Sequence, residues 1–384
     1  MGKLVKNYIY NIAYQLLTLI TPVITAPYLA RVLGAQRLGV YSYVSSSANI
    51  IITLSLLGLY LYGTRRVAYV RDNRSLLNRT FWELELAHLV LGTAGTLAYV
   101  VYAKLNPQYS QYFLLYYPYV LAQFVDCSWL FVGVEDMKPT ALKNGVAKLI
   151  NVAGIFILIK QASDLWIYIS LLALTALLSN LSIYTQIRRY TDKPQGNWRA
   201  IPGHIRGSIA LFLPQMASLF YLQIDKVMLQ WMTGEMQQVS FYDQAEKIVT
   251  IPLSLITVIS SVMMPRIANE FQKKNADTIR SLLLRAARFS LCMALPMALG
   301  IACIAKRFVP WYLGSEYSAT AVAIQILSPI IVLNSLAGIS GKQYFTATNQ
   351  NGILLKAYIA AALLNVAVNA LLIPRCGYIG AAIA

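Results

Sequence analysis

Long stretches without any acidic or basic residue divide this chain into regular segments. Most of them approach the roughly 20 apolar residues that a helix needs to cross a bilayer, and the shortest reaches that length when it is extended past a flanking charge. The eleven stretches are Asn7–Ala30, Leu38–Thr64, Leu86–Ala103, Leu105–Val125, Leu149–Ile159, Leu165–Ile187, Gly207–Ile224, Ile248–Pro265, Phe289–Ala305, Tyr317–Gly341 and Ala357–Pro374. The pattern predicts an all-α polytopic membrane protein.

The beginnings of the two halves of the chain resemble each other when one is shifted by 200 residues. Gln15 then aligns with Gln215, Thr18 with Ser218, and Arg66 with Arg266. We therefore predict two six-helix lobes related by an internal repeat: an N-terminal lobe over residues 1–190, a cytoplasmic linker over 191–204, and a C-terminal lobe over 205–384. The second lobe holds five helices and the start of a sixth, so we expect the chain to be C-terminally truncated.

Polar side chains recur on one face of the first predicted helix and of its repeat partner, the seventh, with spacings near 4, 7 and 14 residues. Because polar groups are costly against lipid, these faces and one face of the second helix are predicted to line a cavity. The residues are Asn11, Gln15, Thr18, Thr25, Ser46, Asn49, Gln215 and Ser218. Hydrogen bonding between neighbouring helices is the other interpretation. Pro22 and Pro27 are expected to bend the first helix.

An acid and a base stand side by side at Asp225 and Lys226, directly after the charge-free run Gly207–Ile224. In one interpretation they lie at the membrane interface, with Asp225 paired to Lys226 or to Lys247. In the other, Asp225 lies on the polar face and, with Glu246, is a candidate site for a coupling proton or sodium ion. Lys226 and Lys247 are then available to an anionic substrate.

The net charge of +17, from 32 basic and 15 acidic residues, reflects orientation in the membrane. With the N-terminus placed inside, most of the lysines and arginines fall in inside segments, which is the usual cytoplasmic bias. This distribution predicts a cytoplasmic N-terminus and argues against a nucleic-acid partner. The sequence contains no phosphate-cradling glycine loop and no zinc-ligand spacing, so we predict no cofactor and no metal.

Arg66 and Arg266 occupy corresponding places in the predicted repeat, at the cytoplasmic ends of the second and eighth helices. Guanidinium groups bind phosphate oxygens through two parallel hydrogen bonds, so this pair would suit a diphosphate. Arg31, at the outer end of the first helix, is a third candidate. The alternative is that these arginines only anchor helix ends at the membrane surface.

Four segments resemble bacterial polysaccharide flippases, the Wzx-type exporters of the multidrug/oligosaccharidyl-lipid/polysaccharide (MOP) superfamily, which has a MATE-like fold. They are TAPYLARVLGAQRLGVYSY (Thr25–Tyr43), GTRRVAYVRDN (Gly63–Asn73), DKVMLQWMTGEMQQVSFYDQAEKIVTIPL (Asp225–Leu253) and SVMMPRIANEF (Ser261–Phe271). The resemblance implies a V-shaped alternating-access transporter of the bacterial cytoplasmic membrane.

The same resemblance implies a substrate, partners and a basic cavity. The substrate would be an undecaprenyl-diphosphate-linked oligosaccharide, moved to the outer leaflet for surface polysaccharide synthesis. The partners would be that lipid-linked glycan, membrane lipid, a coupling proton or sodium ion, and glycan-assembly proteins. The family's basic central cavity carries over, as a hypothesis, to Arg31, Arg66, Lys226 and Arg266.

Two other functions agree with part of the sequence. A MATE-like drug/cation antiporter would favour carboxylates in its cavity, and Asp225 and Glu246 keep that alternative open. A membrane enzyme would need a large outer loop with catalytic groups, but the outer loops are short and His88 and His204 are the only histidines. His88 lies inside an apolar span and is interpreted as a satisfied packing residue, so the chain is not expected to be an enzyme.

Overall fold

The computed structural model describes residues 3–273, 275–346, 348 and 350–384, without the side chains of residues 3–9, 11–12, 210, 213–222, 255, 257–266, 268, 276, 342 and 351. Over these residues the chain is helical and contains no strand. The α-helices are α1 (Lys3–Leu56), α2 (Leu59–Val70), α3 (Arg74–Leu105), α4 (Ser110–Phe124), α5 (Ser128–Gly133), α6 (Met137–Leu158), α7 (Leu165–Ser182), α8 (Tyr184–Ile187), α9 (Ile201–Thr233), α10 (Met236–Gln272), α11 (Ala276–Tyr312), α12 (Thr320–Leu327), α13 (Pro329–Gly338), α14 (Asn351–Cys376) and α15 (Tyr378–Ile383). A π-helical segment, Ile339–Thr346, follows α13.

The predicted all-α membrane architecture is confirmed. Seven helices in the described part of the chain are long and apolar enough to cross a membrane. The first of them combines two predicted spans, because α1 runs from Lys3 to Leu56. Three further predicted spans, residues 105–125, 207–224 and 248–265, lie mainly in α4, α9 and α10. Helices satisfy their own backbone hydrogen bonds, which is why long apolar segments adopt this form in lipid.

The first two breaks in helical geometry lie at Gly34 and at the pair Leu57 and Gly58, all three with positive φ. Pro22 and Pro27 lie inside α1, whereas its non-helical backbone is at Gly34, with φ of 74°. The boundary between α1 and α2 is at Gly58, also with φ of 74°, a conformation that is costly for residues with a Cβ. An added Cβ at Gly58 would lie 3.0 Å from backbone atoms of Phe212 in α9. Gly58 therefore permits both a left-handed turn and a close helix approach.

The chain divides into two compact units, Met1–Leu219 and Phe220–Ala384. This boundary lies inside α9, beyond the predicted linker 191–204, so the linker belongs to the first unit. The linker is held against α3 by an ion pair of 2.9 Å between Arg74 and Asp192. Asn78 adds two hydrogen bonds, donating to the carbonyl of Lys193 and accepting from the amide of Asp192.

In the first unit, α1 packs against α3, α4 and α6, and α4 packs against α7. Its largest described core cluster joins α2, α3 and α5 around buried aromatic and aliphatic side chains, among them Phe81, Leu84, Trp129, Leu130 and Phe131. The N-terminus of α3 is capped by Asn73, whose side chain accepts from the amide of Leu76. These contacts fix the face of α3 that carries the acidic residues described below.

In the second unit, α10 packs against α11, α12 and α13, while α15 contacts α12 and α14. Asn275 caps α11 by accepting from the amide of Thr278. Ser240 of α10 shares a buried hydrogen bond of 3.1 Å with Tyr317. This packing holds in place the face of α10 that meets the charged end of α9.

Candidate functional site

Asp225 of α9 is 2% exposed and lies among neutral hydrogen-bond donors. The hydroxyl of Tyr242 in α10 donates to its Oδ2 at 2.6 Å. The amide of Asn369 in α14 donates to its Oδ1 at 2.6 Å, and also to Oδ1 of Asn365 at 3.2 Å. No cationic side chain of the described residues pairs with Asp225. A buried carboxylate in these surroundings favours uptake of a proton or a small cation.

Lys226, the next residue, is 7% exposed and belongs to a different network. Its ammonium group lies 2.9 Å from Oδ1 of Asp243 and 2.7 Å from Oε2 of Glu246. Lys247 completes the network, 2.6 Å from Oδ2 of Asp243. Two lysines and two carboxylates thus balance each other. The predicted pairing of Asp225 with Lys226 or Lys247 is not found, because successive helix positions lie about 100° apart and face different neighbours.

The two networks meet at a small cavity of about 140 Å³ within the second unit. Tyr242, which binds Asp225, and Glu246, which binds Lys226, both line it. The other lining residues are Val249, Thr250, Leu327, Ile330 and Asn334. A change in the charge of Asp225 would therefore reach the cavity wall through Tyr242. The contacts engage Lys226 with two carboxylates, which leaves Lys247, with 44% of its side chain exposed, more accessible to an anion.

Arg66 of α2 differs from the other arginines near it. Its Nε is buried without a hydrogen-bond partner, and its guanidinium makes no ion pair with any described residue. The others each have a partner: Arg65 donates to Tyr69, and Arg71, Arg74 and Arg79 pair with Glu135, Asp192 and Glu83. Arg66 therefore keeps hydrogen-bond donors that an anion could use, whereas the neighbouring arginines use theirs to bind other residues of the protein.

Two residues of the polar stripe of α1 are hydrogen-bonded to their own helix. Thr18 and Thr25 donate to the carbonyls of Tyr14 and Thr21, each at 2.9 Å. Thr25 and Ser46 are buried, Asn49 is partly buried, and Gln15 and Arg31 are exposed. The side chains of Asn11, Gln215, Ser218 and Arg266 lie outside the described part of the chain. Their role in a cavity stays a prediction.

Sequence reasoning missed Asn369 as a partner of Asp225. The signal was two asparagines four residues apart, Asn365 and Asn369, inside the apolar span 357–374. Such a pair shares one helix face, and polar groups in a membrane helix usually face protein partners. The partner itself lies 144 residues away in the chain and is not readable from spacing.

The profile of a known protein family matches residues 4–271 of the chain, and its description is "Polysaccharide biosynthesis protein". The chain belongs to this family. A relative from Escherichia coli (strain K12), named as an O-antigen transporter, is 24% identical over 369 residues, which cover 94% of this chain and 88% of the relative. A relative from Haloferax volcanii, named as a low-salt glycan biosynthesis flippase, is 25% identical over 256 residues, or 66% of this chain and 52% of that protein.

Solved structures share the fold of this family member. An inward-facing multidrug resistance MATE family transporter of the MOP superfamily matches with a TM-score of 0.75 and 15% identity, covering 96% of this chain and 90% of that one. The inward closed form of the lipid II flippase MurJ matches with a TM-score of 0.76 and 15% identity, covering 97% and 84%. The predicted MATE-like fold is confirmed.

Proposed function

We propose that this chain is a flippase that moves a lipid-linked oligosaccharide across the bacterial cytoplasmic membrane by alternating access, for surface polysaccharide synthesis. The substrate class is an oligosaccharide on a polyprenyl diphosphate, which enters from the cytoplasmic leaflet. Membership of the polysaccharide biosynthesis family and relatives named as glycan transporters support this function. The N-terminus and the Arg66 end of α2 face the cytoplasm in this proposal.

Within the chain, the proposal depends most on the guanidinium group of Arg66, which makes no ion pair with the described residues. A diphosphate needs hydrogen-bond donors and positive charge that the protein has not already neutralised. Arg66 meets both requirements among the described residues, and its Nε is buried without an acceptor, which is costly unless something else binds there. Arg31, Lys247 and Arg266 are further candidates for the anionic substrate. Lys226 instead holds Asp243 and Glu246 in place, and binds the substrate only if it leaves both.

Asp225 is proposed as the site of ion coupling. Its carboxylate accepts hydrogen bonds from Tyr242 and Asn369, and no described cation neutralises it. A proton or a sodium ion would supply the positive charge that this buried carboxylate lacks. Glu246, at the same small cavity, is already paired with Lys226 and takes a supporting role.

Reconstitution into liposomes tests the function directly. The purified chain is expected to move a fluorescent polyprenyl-diphosphate oligosaccharide between leaflets, at a rate that a proton or sodium gradient changes. A polyprenyl-linked glycan that lacks the diphosphate serves as the control substrate and should move far more slowly. Equal movement of both lipids, or of neither under any gradient, would contradict the proposal.

A drug/cation antiporter is the second candidate, favoured by the uncompensated carboxylate of Asp225 and by the shared fold of multidrug transporters. Such a transporter exchanges a cationic drug for a coupling ion. A cationic dye in the same liposomes separates the two functions. Gradient-driven dye accumulation without glycan movement would establish the antiporter.

A further inference from the structure

A second buried acid lies in the first unit, on α3. The carboxylate of Glu85 accepts one hydrogen bond through Oε1, from the hydroxyl of Tyr184 in α8. Its other oxygen, Oε2, is buried and has no hydrogen-bond partner among the described residues. An ionised carboxylate with an empty buried oxygen is unfavourable, because the lost hydration is not replaced.

His88 stands three residues further along the same helix and is 1% exposed. The sequence suggested a satisfied packing residue, and the burial agrees, but neither ring nitrogen has a hydrogen-bond partner in the described chain. Residues three apart on a helix lie on one face, with Cβ atoms about 5–6 Å apart. Glu85 and His88 therefore project from the same face of α3, about one turn apart.

The charged groups around this pair do not neutralise it. Lys143 of α6 is bound to other groups, with its ammonium 2.9 Å from Oδ1 of Asp126 and 2.6 Å from Oδ1 of Asn180. Asp126 also interacts electrostatically with Glu85 and with His88. The remaining titratable neighbours, Cys127 and Tyr184, carry no positive charge in any protonation state.

Among these described groups, the carboxylates of Asp126 and Glu85 are accompanied by one ammonium group, that of Lys143, which leaves one negative charge in excess. A single bound proton removes this excess, either on Glu85 as a carboxylic acid or on His88 as an imidazolium. In either form, a hydrogen bond between Glu85 and His88 would satisfy two unpartnered buried atoms and leave no net charge on the pair, whereas a neutral imidazole that donates to an ionised carboxylate would leave the negative charge in place. The charge balance and the unpartnered buried atoms therefore both favour a bound proton at Glu85 and His88.

We propose that Glu85 and His88 form a proton-binding site that holds one exchangeable proton within the first unit. The site is separate from Asp225, which lies in the second unit. It rests on the burial and contacts of these side chains, so it stands whether or not the chain moves a lipid-linked glycan.

The presence of only two histidines makes a direct test practical. Full-length protein labelled with ¹⁵N in its histidine side chains gives two sets of imidazole signals, which His88→Gln assigns. Infrared spectroscopy of the same samples detects the carbonyl stretch of a buried protonated carboxylic acid. The wild-type protein at neutral pH is expected to show either an imidazolium signal from His88 or a protonated acid, and Glu85→Gln is expected to abolish it.

Glu83→Gln is the matched control, because Glu83 lies two positions earlier in α3 and its Oε2 is 3.2 Å from the ring of the other histidine, His204. It should change the signals of His204 and leave the proton on the Glu85–His88 pair. A neutral His88 ring together with the absence of a protonated acid would overturn the proposal. So would a signal that Glu85→Gln leaves unchanged. If Glu85→Gln fails to fold, His88→Gln still decides, because the proton must then appear as a stronger acid band.

Discussion

Asp225 and Lys226 are adjacent in the chain but belong to separate hydrogen-bond networks. Asp225 accepts from Tyr242 and Asn369, which are neutral, whereas Lys226 binds the two carboxylates of Asp243 and Glu246. The lysine network balances its own charge, so the negative charge of Asp225 remains without a described counter-ion. This division supports the proposal that Lys226 has a structural role and that Asp225 is the ion-coupling site.

Asp225→Asn removes the charge and nearly preserves the shape of the side chain. We expect the variant to fold and to lose at least about tenfold in gradient-driven transport, or roughly 1.4 kcal/mol of coupling. The measurement is lipid movement in liposomes with an imposed proton or sodium gradient. Tyr242→Phe, which keeps the carboxylate and removes one donor, should retain gradient dependence. If Asp225→Asn responds to the gradient like the wild type, Asp225 is not the coupling site.

Lys226→Met is expected to destabilise the folded protein strongly. Removing one partner of a buried ion pair leaves uncompensated charge, at a cost of about 3–5 kcal/mol. Lys247→Met removes a half-exposed partner of the same Asp243 and should cost no more than about 1 kcal/mol. Thermal unfolding of the two purified variants in detergent measures the loss of stability in each.

A double variant checks the reason for that effect. In Lys226→Met with Glu246→Gln, the surviving Asp243 and Lys247 still balance each other, so part of the lost stability should return. A double variant no more stable than Lys226→Met would show that packing, and not charge, determines the cost.

The sequence was sufficient for the architecture and insufficient for the contacts. Charge-free runs predicted the membrane helices because burial of backbone polar groups in lipid leaves helices as the main solution. The partners of Asp225 could not be predicted in the same way, since α9 and α14 meet only through packing of the whole second unit. A pattern of period 3.6 locates a helix face, but it does not identify the helix that the face contacts.

The helix breaks show a similar limit. Proline lacks the backbone N–H, so Pro22 and Pro27 were the natural candidates for bends. Membrane helices tolerate proline well, however, and α1 changes its backbone at Gly34 instead. A glycine in the sequence does not by itself indicate a helix break. The break is recognised only from the φ angle of the glycine or from its contacts in the structure.

Gly58→Ala should therefore be destabilising. The methyl group is placed on a residue with φ of 74° and within 3.0 Å of the Phe212 backbone, so the strain in the turn alone costs about 1–2 kcal/mol. Gly203→Ala, in the first turn of α9, meets nothing within 4 Å and should be neutral or stabilising by up to about 1 kcal/mol. Unfolding temperatures of the two variants test the contrast, and equal loss in both would contradict it.

The linker should loosen from α3 at acid pH. The hydrogen bond from Arg74 lowers the pKa of Asp192 below its ordinary value near 4. The stabilisation is complete above that ordinary value and is lost as the pH falls through the lowered pKa of the folded state. Because the pair is solvent-exposed, the effect is small and weakens with salt.

Amide hydrogen exchange of residues 191–200, corrected for the intrinsic effect of pH, measures this release. Protection is expected to fall below pH of about 4 in the wild type. Asp192→Asn should show reduced protection at neutral pH and little further acid dependence. An acid-dependent loss that persists fully in Asp192→Asn would assign the effect to another group.

Arg66→Ala should abolish glycan movement without lowering the amount of protein in the membrane. Its guanidinium makes no ion pair with the described residues, so its removal breaks no described structural contact and takes away donors for the substrate diphosphate. Arg65→Ala is the matched control, since Arg65 is the adjacent residue, is exposed and donates to Tyr69. Restoration of glycan export in a flippase-deficient bacterial strain, normalised to membrane abundance, compares the two.

Arg66→Lys refines the interpretation of that comparison. Lysine keeps the charge but loses the planar pair of donors that binds phosphate oxygens bidentately, so partial export is expected if Arg66 contacts a diphosphate. Full export from Arg66→Lys would indicate that only charge is needed, as for a membrane anchor. Export from Arg66→Ala equal to that from Arg65→Ala would remove Arg66 from the substrate site, and combining it with Arg266→Ala would then show whether the second predicted arginine acts in its place.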